Sequence, residues 1–262
     1  MLGRGVTPGD GSLAYLTPYL QSADLALANL ESMLTAAPSQ TSGYDLCAPP
    51  ERVRFLAEAG LDLLSVANNH SLDCGLDGLA ETESTLHAAG LTPLSSSDEP
   101  AYRKINGLRL AFLAFDDVSA PLDGEAAAHL IRGAHDSSEL VIVSVHWGVE
   151  YQGGVSERQR QLAQQFLNAG AILIWGHHPH VLQPVEWFND GKTLILYSLG
   201  NALFDQGGLA DTRQSALVLV EMDENGVRSA HAIPFEIDIQ HSRVMEADEQ
   251  AAQAILEHLK LK

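Results

Sequence analysis

The sequence predicts an α/β protein layered as α/β/β/α, with mixed sheets inside and helices outside. Three observations lead there. Short continuous apolar runs rich in Val, Ile, Leu and Ala recur along the chain, as strands buried on both faces require. Stretches with apolar residues three and four apart lie between them, which places helices on sheets. Other segments are joined by turn-forming Asn-Gly, Asp-Gly and related pairs, the mark of antiparallel pairing.

Taken in order, the first run, Asp24 to Ala28, stops at Asn29-Leu30-Glu31. A short helix closing at Gly60 precedes the second run, Leu61 to Ala67, which stops at Asn68-Asn69-His70. Leu76, Leu79, Glu83 and Leu86 recur at helical spacing, and Gly90 stands where a C-cap belongs. Tyr102 to Ile105 and Leu108 to Phe115 flank Asn106-Gly107, a type I′ hairpin signal. The third run, Leu140 to Val145, stops at His146-Trp147-Gly148. Ser156-Glu157-Arg158-Gln159 has the form of a capping box, opening a helix whose apolar face is Leu162, Phe166 and Leu167 and which ends at Gly170. The fourth run, Ala171 to Trp175, stops at Gly176-His177-His178-Pro179-His180. Thr193 to Ser198 follows the turn Asn189-Asp190-Gly191, and Gln214 to Glu221 joins Val227 to Ile237 through Asp223-Glu224-Asn225-Gly226. Ala247 to Leu261 reads as an amphipathic helix appended at the end. With no clear linker or repeat, residues 1–262 read as one domain, its most mobile parts expected around residues 36–50 and 95–100.

Composition narrows the function classes. Fifteen Lys+Arg against 34 Asp+Glu give a formal net charge of −19, which excludes a general nucleic-acid or anionic-membrane binder. A 45% hydrophobic share with 19% charged residues is ordinary globular composition. Cys47 and Cys74 form no CxxC and no paired spacing, so they are expected as two reduced thiols. No stretch reaches the roughly 18 apolar residues that span a bilayer, and the start lacks the apolar core of a signal peptide, so the chain as given reads as cytoplasmic. No Gly-rich phosphate loop occurs, which argues against nucleotide-driven ligation.

The functional signal is positional. Ligands in α/β sheets gather beyond the carboxyl ends of strands, and four strands here end in Asn, Glu or His. A lone His at such a place is usually a structural histidine. Six such residues at four strand ends point to a shared site. Oxygen and imidazole donors without thiolate suit Mn, Fe, Zn or Mg, held as one divalent ion or a pair. Such ions polarise a substrate oxygen, and His or Glu beside them transfers protons.

The strings Ala28-Asn29-Leu30-Glu31-Ser32, Ala67-Asn68-Asn69-His70, His146-Trp147-Gly148-Val149-Glu150-Tyr151, Gly176-His177-His178-Pro179-His180 and Tyr197-Ser198-Leu199-Gly200-Asn201 occur in the order and approximate spacing of the bacterial capsule synthesis protein family CapA. The resemblance runs from Leu2 to about Glu221. It implies a role in poly-γ-glutamate capsule biosynthesis and a fold related to the calcineurin-like metallophosphoesterases. On that likeness Glu31 resembles a carboxylate bridging two metals, Asn69 a metal-binding Asn, His146 and His177 histidine ligands, and His70 a general acid. Either His178 or His180 resembles the last ligand; Pro179 turns the chain, which favours His180. Arg4, Asn29, Asn68, Trp147, His178 and Asn201 are the implied substrate contacts, with Asp205 at the rim and Trp147 equally suited to core packing. Family members open with an apolar strand running into Gly-Asp, and the sequence begins just past that point. Gly9-Asp10, in a Gly/Pro loop, does not replace it. The resemblance therefore implies a further strand, one more metal-binding Asp, and a membrane anchor or export signal upstream.

Three functions fit these readings. One is a CapA-like metal-dependent hydrolase or transferase in polymer biosynthesis. Another is a non-catalytic subunit that binds polymer or other capsule synthesis subunits. The third is a phosphate-ester phosphatase on the same fold. In each, an anionic polymer or phosphate ester meets a repelling surface, so cations in the pocket, helped by Arg4, Arg158 or Arg213, are needed for binding.

Overall fold

The computed structural model describes residues 1–41, 46–96 and 99–261. Helix α1 (Thr17–Ser22) leads into strand β1 (Leu27–Asn29), α2 (Val53–Ala59) into β2 (Leu63–Ser65), and α3 (Gly75–Ala88) into β3 (Thr92–Leu94). These strands pair in parallel in the order β1-β2-β3. Parallel neighbours need a crossover between them, which α2 and α3 supply. The apolar faces of the helices, through Leu20, Leu56 and Leu86, pack on one side of this sheet with Leu64 and Val66.

The larger sheet begins with the expected hairpin, β4 (Ala101–Ile105) and β5 (Leu108–Asp116). Its turn places Asn106 at φ 50° and Gly107 at φ 92°, the left-handed pair that a type I′ turn demands. Then follow α4 (Gly124–His135), β6 (Leu140–His146), α5 (Glu157–Asn168), β7 (Ala171–His177), β8 (Val185–Phe188) and β9 (Thr193–Leu196). The strand order is β4-β5-β6-β7-β9-β8, with β5, β6, β7 and β9 parallel. The capping box forms as the sequence predicts: Ser156 Oγ accepts from the Gln159 N–H at 3.2 Å and Gln159 Oε1 from the Ser156 N–H at 2.9 Å. Helix α4, absent from the sequence expectation, starts because Asp123 accepts the N–H groups of Glu125 and Ala126 at 3.0 and 3.1 Å.

Strands β10 (Gln214–Asp223), β11 (Gly226–Asp238) and β12 (Arg243–Glu246) form an antiparallel sheet, and α6 (Glu249–Leu259) closes the chain. Strand alternation sets the layers. Ala111, Leu113 and Phe115 of β5 face α4 and α5, while Leu110, Phe112 and Ala114 face Leu63 of β2 and Val227 and Ala230 of β11. Both faces are apolar because both are covered.

One expectation is corrected here. Cys47 and Cys74 are joined in a disulfide, although 27 residues separate them and no motif announces a pair. Leu46 donates its N–H to Asp73 at 3.1 Å, and that contact sets the two neighbouring cysteines face to face. The expected mobile loops contain residues 42–45 and 97–98, which lie outside the described residues.

Among the described residues, strands β1 and β10 each pair with one neighbouring strand. Their other edges border a shared cavity of about 700 Å³, walled by Leu25 to Glu31, by Ala216 to Met222, and by Leu110, Phe112, Ile142 and Leu173 of the large sheet. The cavity reaches Asn29, Glu31, His177, His180 and Asn201 at one end.

Candidate metal centre

The strand runs predicted from sequence divide between two sheets, yet their polar ends converge. Just past β1 stands Glu31, just past β2 stand Asn68, Asn69 and His70, β6 ends at His146, β7 at His177, and the turn after β7 carries His178 and His180. Parallel strands in each sheet put all carboxyl ends on one side of the molecule.

Glu31 is 4% exposed. Its Oε2 accepts from Asn29 Nδ2 at 3.2 Å, while Oε1 lies 3.5 Å from His180 Nε2 and 3.9 Å from His70 Nε2. Asn68 donates to Asn29 Oδ1 at 3.2 Å and to the Leu30 carbonyl at 3.1 Å, and its own Oδ1 accepts the His70 N–H at 3.1 Å. Fully buried, it ties the ends of β1 and β2 together and its amide is committed to that link. Asn69 instead keeps a buried Oδ1 with no hydrogen-bond partner.

His180 Nδ1 lies 2.8 Å from Asn201 Oδ1. The Asn201 amide N–H groups point to the carbonyls of Thr212 and His180 and to Gln206 Oε1, at 3.0, 3.4 and 3.2 Å, so its oxygen is the atom facing the imidazole. Nδ1 therefore carries the proton, and the free Nε2 lone pair faces Glu31 and, at 3.9 Å, Glu150 Oε1. Glu150, His178 and His180 offer ligand atoms all within 4.8 Å of one another. His178, His180, Tyr151 and Arg4 hold φ values of 98°, 58°, 62° and 49°. Left-handed backbone at four non-glycine positions is strain of the kind that a functional site retains.

Burial decides the state of the imidazoles. It drives the His146 pKa well below the ordinary value, with neighbouring histidines adding to the effect, and it brings His177 to about 3 and His178 to about 4. All three are neutral at neutral pH, the form that binds a metal. His177 Nε2 pairs with Ser144 Oγ at 2.8 Å. His146 has no partner at either ring nitrogen, and His178 none at Nδ1. His70 behaves differently. Burial alone lowers its pKa, but the Asp73 carboxylate, 2.9 Å from Nδ1, and the charge of Glu31 raise it above the ordinary value.

Eight buried side-chain polar atoms lack a hydrogen-bond partner among the described residues, and five of them sit here: Glu31 Oε1, Asn69 Oδ1, both nitrogens of His146, and His178 Nδ1. Leaving buried polar atoms unpaired costs about 1–3 kcal/mol each. A neutral imidazole offers a single lone pair, so at most four of these atoms can donate to a cation, and oxygen with imidazole is the donor chemistry of Mn, Fe, Zn or Mg.

The remaining expected residues are placed as follows. Arg4 pairs with the Asp205 carboxylate through Nε at 2.8 Å and through Nη2. Trp147 is fully buried in the core behind the large sheet, stacked on Tyr197 with ring centroids 5.5 Å apart, and its Nε1–H donates to the Tyr197 carbonyl at 3.0 Å. Sequence reasoning assigned no role to Asp73 or Glu150. Asp73 carried a signal, three residues after His70, and Glu150 lies inside a quoted string; their parts follow from the turns that aim them.

A sequence profile described as bacterial capsule synthesis protein PGA_cap matches residues 5–206. The PGA biosynthesis protein CapA of Bacillus subtilis is 34% identical over 90% of this chain, and the capsule biosynthesis protein CapA of Bacillus anthracis 32% over 85%. The matches span 69% and 60% of those proteins' lengths. A crystal structure of a novel phosphatase from Mycoplasma pneumoniae superposes with a TM-score of 0.51 at 13% identity, covering 94% of both chains. That likeness shows the fold alone, a layered α/β/β/α sandwich.

Proposed function

Because this chain belongs to the bacterial capsule synthesis protein family, we propose that it acts in capsule or poly-γ-glutamate biosynthesis as a divalent-metal-dependent hydrolase or transferase. The observation that carries the reading is the set of unpartnered buried polar atoms of Glu31, Asn69, His146 and His178 at the strand ends, beside the close group of Glu150, His178 and His180. Glu31, Asn69, His146, His178, His180 and Glu150 would hold the metal, with His177 beside them. When bound, a divalent ion supplies charge stabilisation of a reacting oxygen and activates water.

The chain's own groups do the rest. Asn201 fixes the His180 tautomer, and Asn29 orients Glu31. His70, whose Nδ1–H is held by Asp73, faces the pocket with Nε2 and, as the imidazolium that Asp73 favours, would give its Nε2 proton to a leaving oxygen. The substrate is an anionic polymer or phosphate ester drawn in by the metal charge against the acidic surface. Other capsule synthesis subunits are the expected partners, and no helix among the described residues is long and apolar enough to cross a membrane.

A second reading is a non-catalytic subunit that binds polymer or partners. One observation favours it: Arg4, an expected substrate contact, is already matched by Asp205.

The test is elemental analysis of the protein equilibrated with Mn²⁺ or Zn²⁺, followed by assays on poly-γ-glutamate, phosphomonoesters and phosphodiesters. Bound metal with turnover of one substrate class, both lost in His146→Ala, is expected. Turnover that survives His146→Ala overturns the assignment. Metal and polymer binding without turnover selects the second reading, and turnover of small phosphate esters alone makes the protein a phosphatase.

A further inference from the structure

The loop that carries His70 is held against a distant loop by two parallel links. Asp73 accepts the Leu46 N–H at 3.1 Å and faces His70 Nδ1 at 2.9 Å with the same oxygen, Oδ2. One residue further along each loop, Cys47 and Cys74 are covalently joined. The Asp73 carbonyl also accepts the Gln40 N–H at 2.7 Å, so residues 40 and 46 both fasten to the turn that follows His70. Cys74 is 1% exposed and Asp73 4%, and α3 starts at the next residue, Gly75, whose φ of 72° turns the chain sharply there. Asp73 thus stands between a disulfide and the imidazole it orients.

We propose that the Cys47–Cys74 disulfide positions His70, through Asp73, and makes the site sensitive to thiol reductants. The inference rests on the reading of His70 as the proton donor. Two-electron reduction by a dithiol breaks the Sγ–Sγ bond; each sulfur takes up a proton and the dithiol becomes its own cyclic disulfide. The Leu46–Asp73 hydrogen bond then holds the two loops without the covalent link beside it. Asp73 gains freedom, and the imidazole loses its fixed orientation. A reducing environment lowers turnover without removing any group that contacts the substrate. The two cysteines and Asp73 are positioning residues.

The experiment compares the oxidised protein, the protein treated with dithiothreitol, and a Cys47→Ser/Cys74→Ser variant that needs no reductant. Hydrogen exchange of the Leu46 amide and the ¹⁵N signals of the His70 ring report the geometry, and the Val143 amide in β6 reports global folding. Breaking the disulfide is expected to average the ring signals and to leave the Leu46 amide exchanging about ten-fold or more faster than the Val143 amide, whose own change follows global stability alone. Turnover falls with it, in kcat rather than KM. Unchanged Leu46 exchange and ring signals in both reduced forms overturn the proposal. If the variant does not fold, the treated protein, followed at the same amides while Val143 remains protected, gives the answer. A clear structural response with unchanged kcat leaves the positioning role standing and overturns the reading of His70 as proton donor.

Discussion

At the scale of single residues the site is governed by which imidazoles carry protons. Asp73→Asn removes one of the carboxylate charges that raise the His70 pKa, so burial lowers it against Glu31 and Glu150 alone. If His70 is the acid, activity is lost above its pKa, and the alkaline limb of the pH profile moves to lower pH in this variant; an unmoved limb refutes the role. His146→Ala removes two unpaired buried nitrogens and one proposed ligand. Its metal stoichiometry falls, and its Tm stops responding to a chelator that lowers the Tm of the metal-loaded parent. The buried histidines also fix a pH dependence of stability. His146, His177 and His178 have folded pKa values below the unfolded value of about 6.5. Between that value and their folded pKa the unfolded chain binds more protons. Their contribution is therefore complete above pH ~6.5 and lost as pH falls toward 4, by up to about 1.4 kcal/mol per pH unit for each proton. Denaturant titrations at pH 7.5, 6 and 5 check this. His70, raised, acts in the opposite sense, its contribution present below ~6.5 and lost as pH rises through its folded pKa. The sequence displayed Glu31, Asn69, His70 and His146 because each ends an apolar run; Glu150 ends none, and its side chain is aimed by the left-handed backbone of its neighbour Tyr151.

At the scale of elements the strands deliver the site and tight packing fixes their ends. Gly176, one residue before His177, has no room for a side chain: a Cβ there would lie 2.2 Å from Trp147 Nε1 and 2.3 Å from the Tyr197 carbonyl. Gly176→Ala is expected to destabilise by about 3 kcal/mol, measurable by urea unfolding, and to displace β7 from the site. The disulfide closes a loop 27 residues long. On the chain-entropy account its removal lowers stability by about 3–4 kcal/mol. A loss under 1 kcal/mol in a cysteine-free variant indicates that the loops hold their places without it. The capping box of α5 and the hairpin turn of β4–β5 were legible because their signals are local, confined to four residues or fewer. Helix α4 was not, since its Ala-rich buried face offers small residues where the eye follows Leu and Ile. Strand β1 begins at Leu27 rather than Asp24, since its register is set by pairing with Leu63 to Ser65 of β2.

At the scale of the whole molecule, charge and shape both act on binding. A net charge of −19 repels an anionic polymer at long range, so association with polyglutamate is expected to quicken as salt is raised from 20 to 150 mM, roughly. Slower association at higher salt reveals a concentrated cationic patch instead. The cavity between the edges of β1 and β10 is apolar along most of its length.

By itself the sequence determined most of the strands and helices, though not α1 or α4, together with the layered class and the histidine, asparagine and glutamate residues at the strand ends, because periodicity, caps and turns are encoded within a few neighbouring positions. Only the tertiary structure decided that β1 and β2 belong to one sheet and β6 and β7 to another, that Cys47 meets Cys74, that Asp73 governs His70, and that Trp147 lies in the core. Those facts depend on contacts between residues far apart in the chain, whose free energy exists only once the layers have packed.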